Sequence, residues 1–247
     1  MHRRVPATAL DRWLLAHRRL GMAVAAVLAL TVALCLVVIE VNGSLPGDGH
    51  FIHWIEHAEP PTPLRLLAAA FAALASPVVA CISVLVACVA VERLIGLRHA
   101  LLLLAAAGAV ALNAIIKTIV GPTPLQVLEG GRYASSNFPS GHVVYATAVF
   151  GTLAWFALTR ARRGLFVAML ALVIGMGPFR IIDGAHWPSD VLAGYALGFA
   201  WTIIVLVLGT PWAIREETEL PRERGERREP ASATRVAPAW AQHVSND

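Results

Sequence analysis

The strongest constraint on this chain is its series of apolar runs. Several of them reach or approach the roughly 20 residues that an α-helix needs to cross a hydrocarbon core. They fall at about 20–41, 66–91, 100–116, 142–159, 164–179 and 191–212. Inside a bilayer the backbone must satisfy its own hydrogen bonds, so such runs become helices, and a proline such as Pro77 within the second is tolerated. The fold class expected is all-α, a polytopic membrane bundle of about six transmembrane helices. A soluble domain of 247 residues is excluded, because only 15% of the residues are charged and the mean hydropathy is +0.65. The first run is too long for a signal-peptide core and lacks a small-x-small cleavage pattern, so it reads as an anchor.

Three parts follow: a basic cytoplasmic N-terminus at 1–19, a six-span membrane domain at 20–212, and a tail at 213–247. The tail mixes Arg and Glu, then Ala, Pro and Ser, and is expected to be disordered and cytoplasmic. Basic residues set the orientation. Arg3, Arg4, Arg12, Arg18, Arg19, Arg93, Arg98, Arg160, Arg162 and Arg163 share the side of the termini, whereas Arg65, Lys117, Arg132 and Arg180 fall on the other. The termini are therefore expected in the cytoplasm of a multi-pass cell-membrane protein. Cys35, Cys81 and Cys88 all lie in apolar runs; Cys81 and Cys88, two helical turns apart, are too distant to bridge. A disulfide framework and a cysteine metal site are both disfavoured.

The outward ends of the later spans concentrate the chemistry. Lys117 is the only lysine among twenty Lys and Arg residues, and it stands at a helix end. It suits a ligand-binding role or a headgroup anchor equally well. Pro139-Ser140-Gly141-His142 opens the fourth span. There Ser140 suits a helix cap, Gly141 permits close backbone approach, and the helix N-terminus favours an anion beside His142. Arg180-Ile-Ile-Asp-Gly-Ala-His186-Trp-Pro-Ser-Asp190 joins the last two spans. Arg180 offers a planar donor fork for phosphate oxygens, and Asp190, four residues from His186, can orient that imidazole as a nucleophile. Taken singly, each segment also reads as a turn, a cap or an interfacial loop.

Together they resemble the type 2 phosphatidic acid phosphatase family, relatives of the vanadium haloperoxidases. Pro139-Ser140-Gly141-His142 is similar to its second motif; Arg180, His186 and Asp190 match the Arg-x5-His-x3-Asp core of the third, continued by Val191-Leu192-Ala193-Gly194-Tyr195. Lys117 matches the lysine that opens the first motif. That motif departs from the pattern: Lys117-Thr-Ile-Val-Gly121-Pro122-Thr123-Pro124 is one residue short and has no arginine, and Phe179 replaces a usual serine. Arg132, in the same outer loop, is expected to fill the gap.

The resemblance implies a membrane hydrolase that cleaves a lipid phosphate or diphosphate, like undecaprenyl diphosphate or phosphatidic acid, at the outer leaflet. His186 would attack phosphorus with Asp190 orienting it, and His142 would protonate the leaving oxygen. Lys117, Ser140, Gly141, Arg180 and Arg132 would bind phosphate. No metal or other cofactor is implied, and the expected partners are the lipid substrate and the bilayer, not nucleic acid. The missing arginine supports an alternative, a weakened or inactive member that binds lipid phosphate or a membrane partner. A transporter is disfavoured, since the span midplanes are nearly pure Ala, Leu and Val.

Other polar residues read more plainly. Phe51, Ile52, Trp54 and Ile55 suggest an interfacial helix, which suits the spacing of His50, His53, Glu56 and His57 better than a metal cluster does. Asn113 is expected to hydrogen-bond between helices, Asp183 to face water, and Glu40 and Glu92 to mark span ends.

Overall fold

A computed structural model describes residues 8–42, 45–48, 60–120 and 138–214, and their regular structure is entirely helical. Among them are six helices long and apolar enough to cross a membrane. The first helix, α1 (Ala9–Ala16), lies in the segment read from sequence only as a basic terminus. Thr8 and Asp11 start it with a reciprocal capping box, the Thr8 hydroxyl accepting from the Asp11 N–H at 3.1 Å and the Asp11 carboxylate from the Thr8 N–H at 2.9 Å. After it runs α2 (Arg18–Asn42), the first span.

The second apolar run, expected as one interrupted helix, is two. Here α3 (Thr62–Leu74) ends before an extended Ser76, and α4 (Pro77–Leu94) starts on Pro77. Proline has no N–H to give and forces its predecessor out of helical geometry, so it suits a first helical position and not an interior one. At 13 residues α3 is about 20 Å long, too short to span alone. Phe71 of α3 stacks on Phe179, ring centroids 4.5 Å apart. Next come α5 (Leu97–Ile119), α6 (Gly141–Thr159), α7 (Arg163–Ile182) and α8 (Pro188–Ile214). A widened turn at Ala146–Phe150 interrupts α6.

Burial divides these helices by role. α4 buries only Val91 and packs one face, with Ala80, Val84, Ala87 and Cys88, on the core, leaving the rest exposed as a lipid-facing helix should, whereas α6 and α8 are mostly buried. Their packing rests on small residues of α8. A side chain at Gly198 would put its Cβ 2.6 Å from that of Thr147, and one at Gly194 would lie 3.0 Å from both the Ser140 carbonyl and the Val143 Cβ. Two glycines four apart let helices approach closely, the usual basis of tight helix pairs in lipid, where packing replaces the hydrophobic effect. Gly209 does the same against Leu102 of α5, and the Trp201 indole donates to the Ala105 carbonyl at 2.8 Å. The last helix is thus the common partner of α2, α5 and α6.

Candidate active site

The glycine contact brings two helix starts side by side. α6 opens at Gly141 and α8 at Pro188, and the Ser140 N–H ties them by donating to the Asp190 carbonyl at 3.0 Å. As a result His142, in the first turn of α6, faces His186, just before α8. Their ring centroids are 6.2 Å apart at an interplanar angle of 62°.

Asp190 occupies the third position of α8. Its Oδ2 accepts from the Trp187 N–H at 3.1 Å, so the start of the helix itself fixes the carboxylate. The same oxygen lies 3.3 Å from His186 Nδ1, at the long end of hydrogen-bonding distance, and both side chains are buried. Since a carboxylate only accepts, Nδ1 carries the proton and Nε2 keeps its lone pair. Burial pushes the His186 imidazole below its ordinary pKa; the Asp190 carboxylate opposes this, while the charges of Arg180 and Lys117 reinforce it. A neutral ring with a free Nε2 is a nucleophile.

His142 is held from the other side by the break between α3 and α4. The Ser76 N–H donates to the Ala73 carbonyl at 3.1 Å instead of to Ala72, and the Ala72 carbonyl faces the His142 ring.

Arg180 sits buried in the last turn of α7, just past Pro178 within the helix. Pro178 has no N–H for the Ile174 carbonyl; the Tyr195 hydroxyl of α8 donates to that carbonyl instead, at 2.8 Å. The same hydroxyl accepts from the Gly177 N–H at 3.0 Å. A side chain at Gly177 would meet Val191 and Tyr195 within 2.7 Å, so only glycine fits. One guanidinium nitrogen pairs with Asp183 at 2.6 Å, and the buried Nε has no hydrogen-bond partner among the described residues. Asp183, expected simply to face water, is thus the partner of Arg180, though it stays half-exposed.

Lys117, half-buried on the final turn of α5, is close enough for its charge to act on His142, His186 and Asp190. The structure therefore gathers Lys117, Ser140, Gly141, His142, Arg180, His186 and Asp190 at one end of the bundle. Two details differ from expectation. Ser140 stands at the cap position of α6, but its buried hydroxyl makes no cap bond; its backbone N–H does the holding. Asn113 makes no interhelical hydrogen bond among the described residues. Its amide instead packs against Gly141, where an added Cβ would lie 3.2 Å from Nδ2. Arg132 and Thr123, like the 50–57 segment with its histidines, lie outside the described residues.

Sequence reasoning missed one residue. Asp48 is buried, and its Oδ1 accepts from the Ser189 N–H at 3.1 Å while Oδ2 accepts from the Leu45 N–H at 3.1 Å. It caps α8 from a loop 141 residues away in sequence, one residue from Asp190. Burial and the neighbouring Asp190 push its carboxyl above the usual carboxylate range, against the pull of the Ser189 and Leu45 donors. Its neighbours Pro46 and Gly47 signal only a turn, and no spacing in the sequence ties that turn to Ser189.

Such a fold and site define a multi-pass, all-helical membrane protein with paired histidines and two cations at one helix-end cluster. Residues 98–212, a little under half of the chain, match the PAP2 superfamily. It is 40% identical over 78 residues to lipid A 1-phosphatase of Rhizobium johnstonii, covering 32% of this chain and 30% of the relative. Against phosphatidylglycerophosphatase B of Bacillus subtilis it is 28% identical over 78 residues, 29% of this chain and 38% of the relative. The matches thus span about a third of each relative's length. The fold is similar to the crystal structure of a transmembrane PAP2-type phosphatidylglycerolphosphate phosphatase from Bacillus subtilis, with a TM-score of 0.61 at 18% identity, over 79% of this chain and 97% of that one.

Proposed function

We propose that this chain is a metal-independent phosphohydrolase of lipid phosphates or diphosphates, acting through a phosphohistidine. The observation that carries the reading is the opposed pair of imidazoles, one oriented by a buried carboxylate, with the charges of Lys117 and Arg180 acting on both. His186 Nε2 attacks phosphorus and forms a P–N bond as the P–O bond to the lipid breaks, and His142 gives its proton to the departing oxygen. Water then attacks the phosphohistidine, losing a proton to His142, and the P–N bond breaks to release inorganic phosphate. Lys117, Arg180 and the N–H groups at the start of α6 stabilise the equatorial oxygens, the electrostatic work that phosphoryl transfer chiefly requires. Arg132 supplies the cation that the first motif lacks.

The relatives named above are phosphatases of lipid A and phosphatidylglycerophosphate, and the substrate class we assign is their common denominator, a phosphate on a lipid at the membrane surface. From the arginine bias of the loops, the termini and the 213–247 tail are cytoplasmic and the site is extracytoplasmic. A second reading, a binder without turnover, draws on the absence of arginine between Lys117 and Pro124. The deciding experiment measures phosphate release in detergent from lipid A, undecaprenyl diphosphate, phosphatidic acid and phosphatidylglycerol phosphate. Wild type should release phosphate from at least one, with His186→Ala at background and His142→Ala slowed by about 10²–10⁴. Equal rates in wild type and His186→Ala on all four would establish the binder instead.

A further inference from the structure

At the end of the bundle remote from the histidines, α4, α6 and α7 do not close on one another. They bound a cavity of about 950 Å³. Its walls are short or apolar: Ala87 and Ala90 from α4 and Ala157 from α6 leave the room, and Leu153 and Met169 line the depth. At the rim, the link between α6 and α7 contributes Arg160, Arg162 and Arg163, and among the described residues no acidic side chain lines the space. Counting the helical rise from the rim to Leu153 or Met169 gives a slot about 10 Å deep.

The rim is partly fixed. Arg160 lies 5.9 Å from the Phe156 ring centre, donates to the Thr159 hydroxyl at 2.9 Å, and has its other terminal nitrogen 3.2 Å from His99 Nε2. Its buried Nε has no hydrogen-bond partner among the described residues. Arg162 and Arg163 are exposed beside it, and among the described residues none of the three forms an ion pair with a carboxylate. The inward bias of basic residues accounts for arginines in this link, but not for the apolar slot left open directly beneath them. Water could solvate the arginines but gains nothing in the apolar slot. A cationic rim over an apolar slot at a helix end is satisfied in both halves by one kind of molecule, a phosphate with an acyl chain beneath it.

We propose that this cleft binds one acidic phospholipid from the leaflet facing away from the histidines. Its phosphate sits on the arginine rim and its chain lies along α4, adding a link between α7 and the most lipid-exposed span. Zwitterionic lipids bring no net charge to offset the rim and bind weakly. The site does not depend on the phosphatase reading, because it uses none of the residues gathered around His186.

The test uses the full chain in phosphatidylcholine nanodiscs doped with phosphatidylglycerol bearing a photoactivatable acyl chain; this lipid is a phosphodiester and offers no terminal phosphate. Crosslinks mapped by mass spectrometry should fall on the last two turns of α4 and on the α6–α7 link, at least fivefold above equally doped photoactivatable phosphatidylcholine. The Arg162→Gln/Arg163→Gln double variant should lose most of that excess, and Ala87→Phe, which plugs the slot, should lose the crosslinks with phosphate release unchanged. Equal labelling by the two lipids, or labelling that survives both variants, overturns the proposal. Should the arginine variant fail to fold, the lipid comparison on wild type and Ala87→Phe still decides it.

Discussion

At the scale of single residues, the site works by fixing rotamers through backbone. Asp190 is held by the N–H of Trp187, the residue just before its own helix, and in turn holds His186. Burial lowers the pKa of His186 and Asp190 raises it, which sets the sign of a pH experiment. Because the folded value lies below the ordinary one of about 6.5, kcat/KM should stay high as pH falls through that value and decline only further into acid. Asp190→Asn removes the group that favours the charged ring, so its acid limb should move to lower pH while its maximum rate falls. An acid limb displaced upward would mean that the carboxylate does not act on this imidazole. Asp48 makes a second residue-scale prediction. Asp48→Ala leaves the Ser189 N–H without its acceptor and should cost about 1 kcal/mol of stability and roughly tenfold in kcat, with KM nearly constant. Asp48→Asn keeps an acceptor oxygen and should recover most of the loss; no difference between the two variants would remove Asp48 from the positioning of α8.

At the scale of elements, the spans were legible because helices in lipid must be long and apolar, and nothing in the sequence competes with that signal. Pro77 announced a break, but only the extended Ser76 shows that it separates two helices and turns the Ala72 carbonyl toward His142. Motif spacing marked His142, His186 and Asp190 as candidates. It could not show that Gly194 and Gly198 set the distance between them, since that depends on which helix meets which. Asp48 was illegible for the same reason: its partner lies 141 residues on. The glycine contact can be tested against an internal control. Gly198→Leu drives a side chain into Thr147 and should cost about 1–3 kcal/mol or more, abolishing phosphate release while circular dichroism still reports helix. Gly151 on α6 has open space around it, so Gly151→Ala should be neutral or stabilising by less than about 1 kcal/mol. Equal tolerance at both positions would refute close packing of α6 on α8.

At the scale of the whole molecule, the two ends of the bundle are chemically distinct, histidines with two cations at one and an arginine rim at the other. Their assignment to opposite faces of the membrane can be read directly. With Cys35, Cys81 and Cys88 replaced by serine, Ala185→Cys in intact cells should react with an impermeant maleimide, and Arg162→Cys should react only after permeabilisation. The reverse pattern would turn the protein over and move its substrate to the inner leaflet. The central place of α8 also governs how such a protein is made. Synthesis proceeds from the N-terminus, so α2, α5 and α6 enter the bilayer before the helix that all three pack against. Until that segment arrives, His142 waits beside Lys117 with neither its opposing imidazole nor the carboxylate that aims it. On the proposed mechanism, competence is conferred at a single late step of insertion, and a chain halted before residue 186 carries half a site that can do no harm to the lipids around it.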